Sequence, residues 1–363
     1  MSRVLTLKKL EGGRPGRVYY PLQLQHEQVN RTPGPGEVLV QLRAVALNHR
    51  DLFLRRLLYP GLAFDRAICC DGSGVVRAVG SNMSSFRKGD DVLLAPVRGW
   101  ESDPIGPELD GGNHCVGGVR DSDFGTARDY MLVKAEDLVL SPRHLSAVEA
   151  AALPLAGLTA WRAVVTKARC EKGMNVLITG IGGGVALSAL QFVVAMGATA
   201  FITSSSEDKM EKARKLGAQA GVNYRDSDWG KKLSALLPAS RPYLDVIIDG
   251  AGGDIVDRAV ELLRPGGAVV QYGMTVGPSL TWTMRAVMAN IDIRGSTLGS
   301  RREFVDMVAF VEEHGIRPVV SRCVRGLDDV EGIERLFSDM DRGSQFGKLV
   351  IEIDGADEGS PKL

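Results

Sequence analysis

The chain has 363 residues, 44% hydrophobic and 24% charged, the composition of an ordinary soluble protein with length for two domains. Its 44 Lys and Arg balance 44 Asp and Glu, so no net field favours nucleic acid or an anionic membrane surface. The five cysteines, Cys69, Cys70, Cys115, Cys170 and Cys323, form no CxxC and no even framework, which fits a reducing compartment and argues against a structural zinc lobe.

Along the chain, residues 1 to 147 read as β-rich. Val4-Leu5-Thr6-Leu7 is a first strand, and the start of the chain lacks the apolar core of a secretory signal. Glu37–Asn48 is a strand entered through the turn PGPGE, and Asp71–Gly80 is a strand with glycines at its entry. A turn and strand follow at Arg87–Pro96. The stretch Arg98–Gly125, rich in Gly, Pro and Asp, reads as a long loop or surface lobe that can line a substrate cleft. Strands return at Tyr130–Pro142.

From residue 148 the pattern changes to strand, helix, strand, helix. Candidate strands are Asn175–Thr179, Thr199–Thr203, Ala220–Tyr224, Leu244–Asp249, Ala268–Tyr272 and Ile291–Gly295, with helical patterns such as Ser206–Leu216 and Asp254–Leu263 between them. Six short strands with interleaved helices predict a doubly wound parallel sheet, so the fold class is α/β. The final stretch predicts a helix (Arg302–His314), a strand (Val319–Val324), a helix (Leu327–Met340) and a strand (Lys348–Ile353). No stretch is apolar for long enough to span a bilayer. The expectation is a cytoplasmic protein. The terminal Pro361-Lys362-Leu363 is close to the peroxisomal Ser-Lys-Leu address and makes the peroxisome the alternative.

The chemistry concentrates at the first strand-to-helix turn of the alternating region, "NVLITGIGGGVALSALQ". A strict GxGxxG fails, because Val185 holds the third place after Gly180 and Gly182. The spacing Gly180-x-x-Gly183-x-x-Ala186 fits instead. Glycines let the backbone turn tightly and approach a pyrophosphate. The amides of Gly183, Gly184 and Val185 then face outward at a helix N-terminus, where the dipole favours negative charge. About twenty residues on, where NAD enzymes carry an acid for the ribose diol, stand Thr203, Ser204, Ser205 and Ser206. No carboxylate is there to repel a 2′-phosphate. Serine hydroxyls can donate to one, Lys209 can supply the charge, and Tyr224 can close the pocket. The same serines also fit a capping box over Ser205–Asp208. The missing acid selects NADPH.

Several segments resemble one family: "PGPGEVLVQLRAVALNHRDL", "DGSGVVRAVGSNMSSFRKGDDVL", "LPLAGLTAWRAV", "KARKLGA", "LLRPGGAVVQYG" and "FGKLVIEI". The chain is similar to the medium-chain dehydrogenase/reductase superfamily, in particular its zinc-independent, quinone-oxidoreductase-like branch, over nearly its whole length. The segments "GIGGGVA" and "GSTLGS" are similar to a microbial alcohol-dehydrogenase-like subgroup. The resemblance implies a GroES-like catalytic domain from residues 1–147 and 296–363 around a Rossmann domain at 148–295. It also implies a homodimer. Zinc alcohol dehydrogenases of this superfamily bind catalytic zinc through Cys, His and Cys. Those places fall here at Asn48, Cys70 and Ala156, and the four-cysteine structural lobe keeps only Cys115, so no metal is expected.

Without zinc, the chemistry that remains is reduction of a quinone or enone. The charge that develops is a delocalised phenolate or enolate, which neutral hydrogen bonds can stabilise. The resemblance puts Asn48 near the nicotinamide and Tyr59 in the cleft, and these two are the candidate catalytic residues. Asp51 and Arg55 have the i,i+4 spacing of an ion pair. By the same resemblance Thr159, Gly250, Ala251 and Gly273 touch the cofactor, and Lys348 reaches a phosphate. The reading is therefore NADPH-dependent hydride transfer to a small-molecule electrophile. The alternatives are an alcohol dehydrogenase or carbonyl reductase, and an NADPH-binding scaffold or regulator without turnover.

Overall fold

The computed structural model describes residues 2–28, 32–108, 114–120 and 122–353. Asp110 of the long loop and the terminal Pro361-Lys362-Leu363 lie outside the described residues. The chain divides into two units, one built from residues up to Leu155 and from Ser300 onward, the other from Ala156–Gly299. The first junction falls eight residues after the expected position (156 against 148) and the second four (300 against 296). The first shift has a packing cause. The short helix Ala147–Ala151 buries Ala151, with Ala152 after it, against Ala44, Ala46 and Val350 of the β-rich sheet, so it belongs to that core.

In the first unit, a seven-stranded sheet runs in the order Val320–Arg325, Lys348–Glu352, Glu37–Ala46, Asp71–Val79, Asp91–Leu94, Leu138–Leu140, with Tyr130–Lys134 also paired to Glu37–Ala46. The C-terminal strand runs antiparallel to Glu37–Ala46, with Val350 opposite Ala46, and Ala46 in turn faces Asp71. Three distant segments therefore end side by side. Leu42, Val45, Val76, Val92 and Ile351, with Leu336 and Phe337 of the helix Val330–Arg342, form the buried core.

The second unit is a six-stranded, all-parallel sheet in the order Ala220–Asn223, Thr199–Ser204, Asn175–Ile178, Leu244–Asp249, Leu263–Gln271, Asp292–Gly295. Every residue of Asn175–Ile178 and Leu244–Asp249 is buried, as expected of strands covered on both faces. The chain winds outward in both directions from Asn175–Ile178, whose carboxyl end is level with those of its neighbours: Ile178 pairs with both Ile202 and Ile248. That is the switch point where doubly wound sheets bind ligands.

One local expectation is corrected. Asp51 and Arg55 do not pair. Asp51 is third in the helix His49–Arg55 and turns back to accept the Asn48 amide at 2.8 Å, while Arg55 takes Glu334 (2.6 Å) and the Tyr20 carbonyl (2.9 Å). The described part of the stretch 98–125 is loop with one short strand pair. Val97–Arg98 pairs with His114–Cys115, Trp100 is buried, and its indole donates to the Asp103 carbonyl at 2.8 Å. The Glu108 carboxylate accepts the amides of Glu101 (2.8 Å), Ser102 (2.8 Å) and Asp103 (3.1 Å).

Those backbone hydrogen bonds, that of Ser102 first, lower the Glu108 carboxyl to about 2. Because the folded value is depressed, the ordering is present above the ordinary value of about 4.3 and is lost as pH falls toward about 2. Amide resonances of residues 101–103, followed by NMR, should titrate near pH 2; a midpoint at an ordinary glutamate value would contradict the loop clamp.

Candidate active site

In the second unit, the turn after Asn175–Ile178 carries Gly180 at φ +62° and Gly182 at φ +134°, backbone that favours glycine. A methyl group on Gly180 or Gly183 would meet nothing within 4 Å, so open space lies above the turn. The turn is tied down from below: the Ile181 amide donates to the Thr203 carbonyl (2.8 Å) and the Gly180 amide to the Thr203 hydroxyl (3.1 Å). Gly183 is the N-cap of the helix Gly184–Ala195. The Gly184 and Val185 amides therefore belong to its first turn, without intrahelical partners. Open space over a helix N-terminus with free amides is a place for a pyrophosphate.

The helix after the second strand starts at Glu207, one residue later than the capping-box reading. Ser206 is its N-cap and accepts the Lys209 amide at 3.4 Å. Ser204 is buried and accepts the Ser206 amide at 3.2 Å, which leaves the partly exposed Ser205 with its hydroxyl uncommitted. Ser204 pairs with Asn223, so Tyr224, 45% exposed, follows directly beside it. The nearest carboxylates face their own helix: Asp208 binds Lys212 (2.7 Å) and Glu207 binds Arg214 (2.9 Å). Burial, the first cause, lowers the pKa of the Lys209 ammonium, against the pull of Asp208.

Sequence reasoning missed the group that aligns the strand ends. Asp249 closes the buried run LDVIID and is itself fully buried. It accepts Thr179 Oγ1, Gln271 Nε2 (2.7 Å) and the Gly252 amide (2.7 Å), and so joins the first, fourth and fifth strand ends. Gly250 and Ala251 follow it, and their carbonyls accept Thr275 and Val276 amides. Gly250 has to be glycine, because a Cβ there would fall 2.5 Å from the Tyr272 ring. The Gly273 carbonyl accepts the Gln271 amide group. Thr159 lies buried in the helix Pro154–Trp161.

In the first unit, Asn48, Asp71 and Lys348 meet at the strand ends described above. The Lys348 ammonium donates to Asn48 Oδ1 (2.6 Å), Asp71 Oδ2 (2.8 Å) and the Leu47 carbonyl (2.8 Å). Its three hydrogens are thus taken, and the side chain is 6% exposed, which corrects the expectation that it reaches a phosphate. Asn48 Nδ2 donates to Asp71 Oδ2 (2.9 Å) and Cys70 Sγ (3.6 Å). Both amide hydrogens are spent inside the protein. Asn48 is held here as a positioning group.

Arg50 continues the cluster. It is buried, pairs with Asp51 (3.2 Å), donates to the Gly117 carbonyl (2.8 Å) and lies 5.0 Å from the Tyr59 ring centre. Burial works against its charge, but Cys115, Cys70, Asp51 and Tyr59 together raise its pKa. Burial raises the Asp51 carboxyl, with Arg50 opposing. Burial likewise raises the Tyr59 phenol, with the Arg50 charge opposing, and the phenol stays protonated. Asn48 and Tyr59 thus stand in one polar cluster, linked through Asp51 and Arg50. Asp71 and Arg50 were not singled out from the sequence; the signal for Asp71 was a charge between two cysteines and a glycine-rich strand.

This donor set does not suit a divalent cation. Asn48 and Asp71 already hold an ammonium at 2.6 and 2.8 Å, and a metal there would be repelled by it. At the other two zinc-ligand places stand Cys70, whose thiol burial pushes well up, and Ala156, a methyl group. No three His, Cys, Asp or Glu side chains among the described residues are grouped to hold a metal ion.

Two family models match: the alcohol dehydrogenase GroES-like domain at residues 34–143 and the zinc-binding dehydrogenase at 184–313. The chain is 52% identical to the zinc-type alcohol dehydrogenase-like protein YogA of Leptosphaeria maculans, over 97% of this chain and all of that one. It is 28% identical to the acryloyl-coenzyme A reductase of Metallosphaera sedula, over 88% and 93%. Among solved structures, an NAD-dependent alcohol dehydrogenase aligns with a TM-score of 0.83 at 31% identity, over 98% and 100%. The chain belongs to the medium-chain dehydrogenase/reductase superfamily.

The buried ion pair has a measurable consequence. Lys348→Met strands the Asp71 carboxylate without a cation, and should lower unfolding free energy by about 3–5 kcal/mol in denaturant titration. Adding Asp71→Asn should restore part of that loss, since the two side chains share one interaction. A single-mutant effect below about 1 kcal/mol would show that the pair does not hold the site.

Proposed function

We propose that this protein is an NADPH-dependent reductase that delivers hydride to a quinone or another α,β-unsaturated carbonyl without zinc. The observation that carries the reading is the buried Asn48–Asp71–Lys348 cluster, in which an ammonium takes the oxygen donors a cation would need. When bound, the reduced nicotinamide supplies the hydride. The second unit holds its pyrophosphate on the Gly184 and Val185 amides, above Gly180 and Gly183. Ser205, Ser204, Lys209 and Tyr224 surround the 2′-phosphate, with both nearby acids turned to their own helix. Thr159, Gly250, Ala251 and Gly273 approach the cofactor as the family resemblance implies.

The first unit supplies the group that meets the developing charge. Tyr59, its phenol raised by burial and its ring 5.0 Å from the Arg50 guanidinium, keeps its own hydrogen to donate to an enolate or phenolate oxygen. An isolated ketone would build a localised alkoxide and need a stronger electrophile. An acryloyl thioester, the acceptor named for the relative at 28% identity, is an electrophile of the conjugated kind.

A second copy of the chain completes the assembly in this reading. The strand Asp292–Gly295 is an open sheet edge, and Met284 (70% exposed) and Met288 (80%) crowd an apolar surface just before it with Trp282 and Val287. Antiparallel self-pairing about Ile293 sets Asp292 opposite Arg294 of the second copy, a self-complementary register.

The paired titration of metal-free protein with NADPH and NADH tests the cofactor. NADPH should bind more tightly, Lys209→Ala should cost it about tenfold while leaving NADH unchanged, and quinones or enones should oxidise the bound NADPH. Equal or tighter NADH binding would overturn the serine pocket. Turnover only with added zinc would favour an alcohol dehydrogenase, and tight binding without turnover a scaffold. Light scattering should give twice the 39.0 kDa chain mass, falling to one in Val287→Glu/Met288→Glu; a monomeric wild type would remove the second copy.

A further inference from the structure

The first unit holds a cavity of about 510 Å³ that the proposed reaction does not use, a volume within the range of small-molecule pockets. One wall is the turn that carries the chain from Leu7 back to Leu22; the other is the helix Val330–Arg342. The turn is pinned to the end of the helix His49–Arg55: the Gly16 amide donates to the Arg56 carbonyl and the Tyr20 amide to the Arg55 carbonyl, both at 2.8 Å. Asn48 caps the opposite end of that helix, about 10 Å away, so the cavity is separate from the candidate active site.

Arg55 fixes the aromatic wall. It is buried, and its guanidinium lies 4.0 Å from the Tyr19 ring centre and 4.5 Å from that of Phe337. The same guanidinium donates to both oxygens of Glu334, at 3.0 and 2.6 Å. The Tyr19 ring is therefore held in place although it is 40% exposed. The second carboxylate of the cavity, Asp341, takes Arg56 at 2.6 Å. Both acids are thus answered by cations, and one charge is left over. The Arg17 guanidinium makes no hydrogen bond or ion pair to a described residue, and neither does the Ser338 hydroxyl on the facing helix. The lining accordingly offers a single unspent positive charge, a free hydroxyl and a fixed aromatic ring. An inorganic anion would meet the charge but leave most of the volume empty and the ring without a partner.

We propose that this cavity binds an organic monoanion, a carboxylate carried on an aromatic ring system, with the carboxylate paired to Arg17 and the rings packed against Tyr19. Guanidinium and carboxylate are planar and match as a two-bonded pair, and an aromatic ring gains from a second ring set in place before it arrives.

The test is a calorimetric titration of the full-length protein with 2-naphthoate, and with 2-naphthalenemethanol and acetate as probes that keep only the rings or only the charge. 2-Naphthoate should bind once per chain with a Kd of about 1 mM or tighter, and each control at least about tenfold more weakly. Arg17→Ala should weaken 2-naphthoate about tenfold, with Arg17→Lys between the two, and Tyr19→Leu should weaken it as well. Ser338→Trp, which fills the cavity from the exposed side of the helix, should abolish binding. No binding of 2-naphthoate, equal binding of the neutral alcohol, or binding unchanged by Arg17→Ala and Ser338→Trp would overturn the proposal. Displacement of the probe by NADPH would overturn it too, since that would put the probe in the second unit. The outcome is independent of the reductase reading, because no hydride acceptor and no turnover enter the measurement.

Discussion

Asp71 has no exposure to water, yet it carries a carboxylate, and the arrangement of the first unit follows from how that charge is satisfied. One oxygen accepts the Leu155 amide at 2.7 Å; the other accepts Asn48 and Lys348. Its own carbonyl takes the Thr126 hydroxyl at 2.8 Å. A buried charge left unpaired is costly, so these partners are obligatory rather than decorative. They come from four separate stretches of chain, and the one from the C-terminal strand arrives 277 residues later. The ion pair thus fastens the last strand of the sheet to the strand that carries the candidate site.

Asp249 plays the corresponding part in the second unit. It too is fully buried, at the end of an apolar strand, and it gathers Thr179, Gln271 and the Gly252 amide. The glycine turn needs such an anchor, because a loop with φ values as high as +134° has no side chains of its own to hold it. Thr203 supports the turn from the second strand and Asp249 from the fourth, so the amides at Gly184 and Val185 are presented by a fixed floor. Preorganised donors of this kind bind an anion without first being ordered.

The parallel sheet was legible in the sequence because each of its parts is local. Strand, glycine turn and helix follow one another within thirty residues, and the buried runs differ from observed strands mostly by a residue at their ends. The exception, Leu263–Gln271, starts five residues before the expected Ala268 (263 against 268), because its Arg264-Pro265-Gly266-Gly267 entry already carries the pairing of Leu263 with Leu244. The β-rich unit was less legible, since its sheet is assembled from both ends of the chain. Nothing near Lys348 announces that antiparallel pairing of Val350 with Ala46 will set it against Asn48, so only the resemblance spoke for it, and that pointed to a phosphate. The same distance hid the engagement of Asn48, whose amide looked available until Asp71 was placed opposite. Asp51 shows a finer failure: i,i+4 spacing points to Arg55, but a helix N-terminus offers a carboxylate a nearer backbone donor, and the cap wins.

The charges of the first-unit cluster bear on what chemistry it can support. Arg50 and Lys348 contribute two positive charges, Asp51 and Asp71 two negative ones, and all four side chains are buried. The sum is zero, so the cluster offers no net charge to a new anion. The two cations are held at close range: Lys348 through all three hydrogens, Arg50 through Asp51 and Gly117. The phenol of Tyr59 is a neutral donor for an incoming oxygen, with the Arg50 guanidinium 5.0 Å from its ring centre. A delocalised anion is less basic and loses less on leaving water than an alkoxide, so it needs less stabilisation from a neutral donor. On the proposed reading, the acceptors this cluster suits are those whose negative charge spreads over a conjugated system, with the buried Lys348 ammonium standing against Asp71 where a metal would otherwise need its oxygens.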